Sequence, residues 1–220
     1  MTPEPAAAII DACLALNRSG INQGTAGNVS LRAGNGFLIS PSGMTYESLT
    51  PDDIVPVDLS GQPAPGSRRP SSEWRFHLDL YREREDVMAV VHAHPRHCTA
   101  LACHGLGIPP FHYMVAVAGG RDIRCAPYAT FGSQALSDAV VEAMSGRLAC
   151  LLGNHGLIAV GPTLDKALAL AVEVEALAAQ YIFARVLGEP HHLDDEEMER
   201  VLEKFRHYGA QAQSAHLAST

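Results

Sequence analysis

The chain reads as one α/β domain, a mixed sheet with helices packed on it, and three features of the sequence say so. Two short strand-like runs, 28–32 and 37–40, are joined by Ala33-Gly34-Asn35-Gly36, a turn signal for an antiparallel hairpin. Further strand-like runs at 54–59, 88–93 and 123–128 alternate with helical patterns, which supply crossover connections. The run 164–187 places Ala167, Leu170, Val174, Leu177, Tyr181 and Ala184 at steps of three and four, with Lys166, Glu173 and Gln180 on a polar line. So wide an apolar surface predicts burial against a sheet and against a neighbouring subunit.

The remaining elements follow in order. Residues 4–19 carry Ile9, Cys13 and Leu16 on one helical stripe, and Gly20 is a stop signal. The third strand closes at Ser60-Gly61, and 62–70, with three prolines and two arginines, is a surface loop. Residues 71–85 form a helix, with Trp74, Leu78 and Tyr81 at i, i+4 and i+7. After the strand 88–93, residues 95–104 can form a short helix. Residues 133–144 are amphipathic, with Leu136, Val140 and Ala143 on one face. Two strands, 149–152 and 157–160, flank Gly153-Asn154-His155-Gly156. A last helix runs from 194 to 207 with acidic residues in its first turn. No repeat or domain boundary interrupts residues 1–220, and 209–220 form a polar tail.

Composition narrows the function. At 220 residues, with 47% hydrophobic and 18% charged residues, the chain holds a core without staples. Its net charge of −8 disfavours nucleic acid and anionic membrane, both of which call for a basic face. No uncharged apolar run of about 18 residues predicts a membrane span, and Met1-Thr2-Pro3-Glu4 lacks the basic, apolar start of a signal peptide. Five cysteines without C-x-x-C spacing read as reduced thiols of a cytoplasmic protein, a structural disulfide being the alternative.

Eleven histidines carry the chemistry worth pursuing. In Val90-Val91-His92-Ala93-His94 the two imidazoles share one face of a strand, about 6.5–7 Å apart along the backbone. They can converge on one metal ion; the alternative is one core histidine and one solvated. His155, set between apolar strands, has glycines close by that let its ring approach another element. Three histidines with an open fourth position suit a catalytic zinc site. His97 ranks below His155, because Pro95 ends the strand before it. Glu73, in the first turn of its helix, is either a base beside the metal or a carboxylate complementing the helix dipole. Ser71 and Ser72 at that helix start, Gly24-Thr25-Ala26-Gly27-Asn28 and Ser40-Pro41-Ser42-Gly43 are each a turn or part of an anion cradle. Neither a Walker A nor a G-x-G-x-x-G motif occurs, which argues against a nucleotide cofactor.

Taken together, several segments resemble class II aldolases of the fuculose-1-phosphate type. These are residues 22–30, Pro70-Ser71-Ser72-Glu73-Trp74-Arg75-Phe76-His77, Val91-His92-Ala93-His94, His112-Tyr113-Met114, residues 126–132 and His155-Gly156-Leu157-Ile158. The resemblance spans residues 9 to about 209 in order. It implies a three-layer α/β/α fold with a largely antiparallel central sheet, and a homotetramer around a four-fold axis with active sites at subunit interfaces. It also implies that His92, His94 and His155 bind Zn²⁺ or another divalent transition metal, with Glu73 as a resting ligand that swings off to act as acid/base. Thr25, Gly27, Asn28, Ser42, Gly43, Ser71 and Ser72 would cradle the phosphate of a sugar substrate. Tyr113, Phe131 and Tyr208 would line the aldehyde side, some of them from the neighbouring subunit.

The implied reaction is reversible cleavage of a ketose 1-phosphate between C3 and C4 to dihydroxyacetone phosphate and an aldehyde. Zn²⁺ on the C2 and C3 oxygens would stabilise the enediolate, Glu73 would exchange the C3 proton and Tyr113 would handle the C4 hydroxyl proton. L-Fuculose 1-phosphate and 5-deoxy or 5-methylthio pentulose 1-phosphates all suit an apolar Tyr/Phe wall. Neither Lys166 nor Lys204 is placed as a Schiff-base nucleophile. Pentulose-phosphate 4-epimerases and methylthioribulose-1-phosphate dehydratases share the fold, but they use an extra acid/base around residues 112–120. Here that stretch holds no carboxylate, and the epimerases are expected to carry Asp in place of Glu73. A non-catalytic assembly protein of the same fold would have lost the ligands that this chain retains.

Overall fold

Alternation of side chains along the strands organises the whole molecule around a single sheet. The structure, a computed structural model, describes residues 3–208, with the side chains of Pro3, His207 and Tyr208 and residues 1–2 and 209–220 outside the described part. Seven strands, β1 (Asn28–Ala33), β2 (Gly36–Ile39), β3 (Val55–Asp58), β4 (Ala89–Ala93), β5 (Cys125–Ala126), β6 (Ala149–Leu152) and β7 (Gly156–Gly161), lie in the order β3-β2-β1-β4-β7-β6-β5. Every pairing is antiparallel except β5 with β6, so the predicted mixed, largely antiparallel sheet is present.

Helices cover both faces. Ala89, Val91 and Ala93 of β4, with Leu157 and Ala159 of β7, face a core shared with α1 (Pro3–Arg18), α3 (Arg96–Ala102), α5 (Leu164–Val186) and α6 (Asp195–Tyr208). The intervening positions Val90, Ile158 and Val160 face a second core against α2 (Trp74–Glu83) and α4 (Gln134–Ala143). The result is the three-layer α/β/α arrangement. His92 follows the same alternation and so faces the α2 side, where its ring meets the Phe76 ring edge-on at 5.5 Å.

Helix α5 has 23 residues and enough apolar character to match a membrane span, but it is a core helix here. Leu170, Val174 and Leu177 are buried against the sheet, while Val172, Phe183, Val186 and Leu187 stay exposed on the other side. Thr163 caps its start by accepting from the Lys166 N–H, and Ser133 caps α4 in the same way through Leu136. Three cysteines, Cys13, Cys98 and Cys150, are buried, and burial raises each thiol above its ordinary pKa, that of Cys13 to about 12.

Two expectations needed correction, and one element had not been foreseen. Helix α2 starts at Trp74 rather than at 71, because residues 71–73 form a turn closed by the Trp74 N–H on the Ser71 carbonyl. The strand expected over 123–128 pairs only at Cys125–Ala126; Pro127 has no N–H to extend the ladder. Residues Tyr113–Ala118 form a 3₁₀ helix that periodicity did not predict, stopped by Gly119 at a φ of 83°. Because Leu177 is fully buried where α5 crosses the sheet, Leu177→Ala is expected to cost about 2–5 kcal/mol, measurable as a lowered urea midpoint.

Candidate active site

The site begins with Glu73. Pro41 and Pro70 form an isolated antiparallel bridge, and the Ser71 N–H donates to the Ser40 carbonyl at 3.1 Å, tying the turn 40–43 to residues 69–71. Glu73 then takes the N-cap position of α2, where its backbone N–H donates to Ser71 Oγ at 3.3 Å. Its carboxylate does not cap the helix. The side chain turns inward instead, and the residue is only 5% exposed. That places its two oxygens beside His92 and His155.

The histidines meet this carboxylate because of strand register. β4 pairs with β7 so that His92 lies opposite Ile158 and Ala93 opposite Leu157, which sets His94 beside the β6–β7 turn. Asn154 adopts a left-handed φ of 54° there, a conformation asparagine tolerates. Gly156 comes so close to β4 that a Cβ would stand 2.4 Å from the Ala93 carbonyl oxygen. That approach brings His155 onto the other two rings, and all three pairs of ring centroids are 4.8 Å apart. At the far side of His94, the Glu175 carboxylate of α5 accepts from the N–H groups of His97 and Cys98 and from His97 Nδ1, which anchors the corner into α3. His97 is thereby committed to Glu175.

Polar geometry fits a divalent ion. The Leu157 carbonyl can only accept, so His92 Nδ1, 2.8 Å away, carries a proton, and Nε2 is the nitrogen turned towards Glu73 and His94. His92 Nε2 is 3.0 Å from His94 Nε2 and 3.1 Å from Glu73 Oε2, and His155 Nε2 is 3.2 Å from Glu73 Oε1. Ligands bound tetrahedrally at roughly 2.0–2.1 Å stand about 3.3–3.4 Å from one another, close to these spacings. One atom from each of Glu73, His92, His94 and His155 falls within a 4.8 Å span, and Glu73 Oε1 is buried with no aligned hydrogen bond. Burial alone would raise the Glu73 pKa; the facing imidazoles of His92 and His155 outweigh it and hold the carboxyl well below the usual range. Burial, with His92 and His155 nearby, lowers His94 to about 4, so its ring is neutral and able to ligate near pH 7.

A cavity of about 320 Å³ opens over these ligands, lined by Ala26, Ser72, His94, Tyr128, Phe131 and Asn154 among others. Of the expected phosphate residues, Ser72 lines it directly, and Thr25 and Gly27 flank the lining residue Ala26. Ser42 and Gly43 lie on the turn tied to residues 69–71. Asn28 points elsewhere: it is 3% exposed, and its amide donates to Glu73 Oε2 at 3.0 Å. Tyr113 does not line this cavity. It is 51% exposed and borders a separate groove of about 710 Å³ with Phe111, Leu193 and Val201. Tyr208 lies outside the described side chains. Sequence reasoning missed Tyr128 and Asn154 as lining residues, although the Gly153-Asn154 pair is itself a turn signal for a left-handed residue.

Residues 7–182 match the family model described as class II aldolase and adducin N-terminal domain. The chain belongs to the class II aldolase family. A 5-methylthioribulose-1-phosphate/5-deoxyribulose-1-phosphate aldolase of Rhodospirillum rubrum is 56% identical over 205 residues, covering 93% of this chain and 92% of the relative. An L-fuculose phosphate aldolase of Escherichia coli is 52% identical over 202 residues, covering 91% and 94%. A solved L-fuculose 1-phosphate aldolase superposes with a TM-score of 0.91 at 40% identity over 94% of this chain and 98% of that one. Class II aldolases depend on metal, and the Glu73–His92–His94–His155 cluster is where such an ion could sit.

Two outcomes test this geometry. In Gly156→Ala the new methyl must displace the Ala93 carbonyl or the His94 ring, 2.9 Å away at Cδ2. Metal content after dialysis should fall well below that of the parent, alongside a lower Tm. The buried His77 has its pKa lowered to about 3 by burial, with His92 adding to the effect. It therefore adds stability above the unfolded pKa of about 6.5 that is lost as pH falls towards the folded value. The urea midpoint should drop between pH 7 and pH 4, and His77→Phe should flatten that slope.

Proposed function

We propose that the chain cleaves a ketose 1-phosphate reversibly to dihydroxyacetone phosphate and an aldehyde, with zinc as the metal. The observation that carries the reading is three imidazoles and one buried carboxylate converging on the floor of a cavity. Neutral histidines leave a Zn²⁺ ion its full double charge, which thiolate ligands would reduce, and the bound ion supplies a Lewis acid for the negative charge left when C3–C4 breaks. Glu73 moves the proton at C3, being ionised and facing the cavity with Oε1 free of an aligned hydrogen bond. Hydroxyl and N–H donors of Thr25, Gly27, Ser42, Gly43, Ser71 and Ser72 hold the phosphate, with the start of α2 favouring the anion, whereas Asn28 is turned to Glu73 instead.

Phe131 forms part of the aldehyde-side wall, as the apolar ring exposed at the cavity rim. Tyr113 and Tyr208 complete that wall from a second copy in a homotetramer, and Tyr113 handles the C4 hydroxyl proton. The exposure of Tyr113 and its place on a separate groove rather than on the lining of its own cavity support that placement, as does the outward apolar side of α5, and the unpaired cysteines fit a cytoplasmic setting. L-Fuculose 1-phosphate, 5-deoxyribulose 1-phosphate and 5-methylthioribulose 1-phosphate are the substrates to try, given the activities named for the relatives. Epimerase and dehydratase readings are disfavoured by the lack of a carboxylate in 112–120.

A panel of these three sugars, with dihydroxyacetone phosphate release coupled to a reductase, should show cleavage that chelation abolishes and added Zn²⁺ restores. Glu73→Gln should lose about 10²–10⁴-fold in kcat; full turnover by that variant would reduce Glu73 to a helix-end charge. Mixing Glu73→Gln subunits with Tyr113→Phe subunits should recover activity above either alone if the site is shared between copies. Purely additive residual rates would place Tyr113 outside it.

A further inference from the structure

Behind Glu73 runs a buried polar chain that none of the roles above uses. The Asn28 amide bonds Glu73 Oε2 at 3.0 Å, and its Oδ1 lies 2.5 Å from His77 Nε2. On the other side of that ring, His77 Nδ1 is 2.6 Å from Ser30 Oγ, which is 2.7 Å from the Tyr81 hydroxyl. Ser30 and His77 are fully buried, Tyr81 is 2% exposed, and Phe76 stacks on the His77 ring at 4.7 Å. Arg32 pins the far end: its guanidinium lies over the Tyr81 ring at 4.8 Å and donates to the Tyr81 and Arg84 carbonyls.

The sense of every bond in this chain is forced. Ionised Glu73 can only accept, so the Asn28 NH₂ must face it; the flipped amide would set an oxygen against the carboxylate. Asn28 Oδ1 is then an acceptor, and His77 Nε2 must carry the proton. Burial keeps the ring neutral, so Nδ1 presents a lone pair and accepts from the Ser30 hydroxyl. Ser30 Oγ in turn accepts from Tyr81. All four hydrogen bonds therefore point one way, towards Glu73, and each polarises the next.

We propose that Ser30, His77 and Tyr81, acting through Asn28, form a positioning relay that holds Glu73 by Oε2 and leaves Oε1 to exchange the proton with substrate. The relay rests on Glu73 being the acid/base of the reaction. Without the His77 donor, Asn28 is free to flip, and its oxygen would repel the carboxylate it now anchors. Misplacing a reacting group by a fraction of an ångström lowers kcat with little effect on substrate binding.

Two measurements test it. In protein labelled with ¹⁵N-histidine, the long-range spectrum at pH 7 should show His77 as the Nε2–H tautomer; an Nδ1–H tautomer or an imidazolium overturns the relay. For turnover, His77→Phe keeps the ring stack without a donor, whereas His77→Gln places an amide N–H where Nε2 stood. His77→Phe should lose about 10–100-fold in kcat with KM within about threefold, and His77→Gln should recover to within about fivefold of the parent. Val140→Ala, a cavity in the same core layer away from the chain, sets the effect expected of lost stability alone. A His77→Phe kcat equal to that of Val140→Ala overturns the proposal. Should Glu73→Gln itself keep full turnover, the acid/base reading fails first; with that variant inactive and His77→Phe normal, only the relay fails.

Discussion

The site depends on the backbone contact between β4 and β7. Their antiparallel register sets His94 against the turn that carries His155, and Gly156 lets the two chains approach to a distance no side chain would permit. Three imidazoles are thus brought to equal separations by main-chain pairing, with no flexible segment involved. The same register sends His92 to the α2 face, where Glu73 can reach it. Both cores follow from the same pairing, because the residues on either side of His92, Val91 and Ala93, are the ones that fill the opposite layer.

Around this contact the polar groups sort by depth. Close to solvent stand Ser72, Tyr128 and Asn154, able to meet a ligand. One layer in are the four converging donors, and behind them Asn28 and His77 share a dry layer with Phe76 and Tyr81. An acidic chain can hold a phosphate under these conditions, because recognition of a single anion is local. N–H and hydroxyl groups beside a bound dication would outweigh a net charge of −8 spread over a surface screened by salt.

Much of this was legible in the sequence, for physical reasons that differ by residue. His92 and His94 declared themselves by the two-residue period of a strand, and His155 by the small residues around it. Glu73 was singled out but not oriented, since a carboxylate near a helix start looks the same whether it caps or turns away; the groups it faces, His92 and His155, are remote in sequence. His77 closed one of the resembling segments but drew no role. Helical spacing picked out Trp74, Leu78 and Tyr81, yet α2 is covered by both the sheet and α4, so Phe76, His77 and Leu80 are buried as well. Periodicity registers apolar side chains and cannot see a polar one that is buried because its bonds are all made. The short β5 and the 3₁₀ turn at Tyr113 were lost in the same way, each fixed by neighbours remote in sequence.

The distribution of thiols has a practical corollary. Cys13, Cys98 and Cys150 are sealed in the interior as protonated thiols, Cys125 is half-buried, and Cys103 alone is exposed, at the end of the short helix that starts from the His94 corner. A maleimide dye or spin label would therefore find one accessible attachment point in the native protein. Its position, one short helix away from a ligand, makes it a natural reporter of movement at that corner without any engineered cysteine.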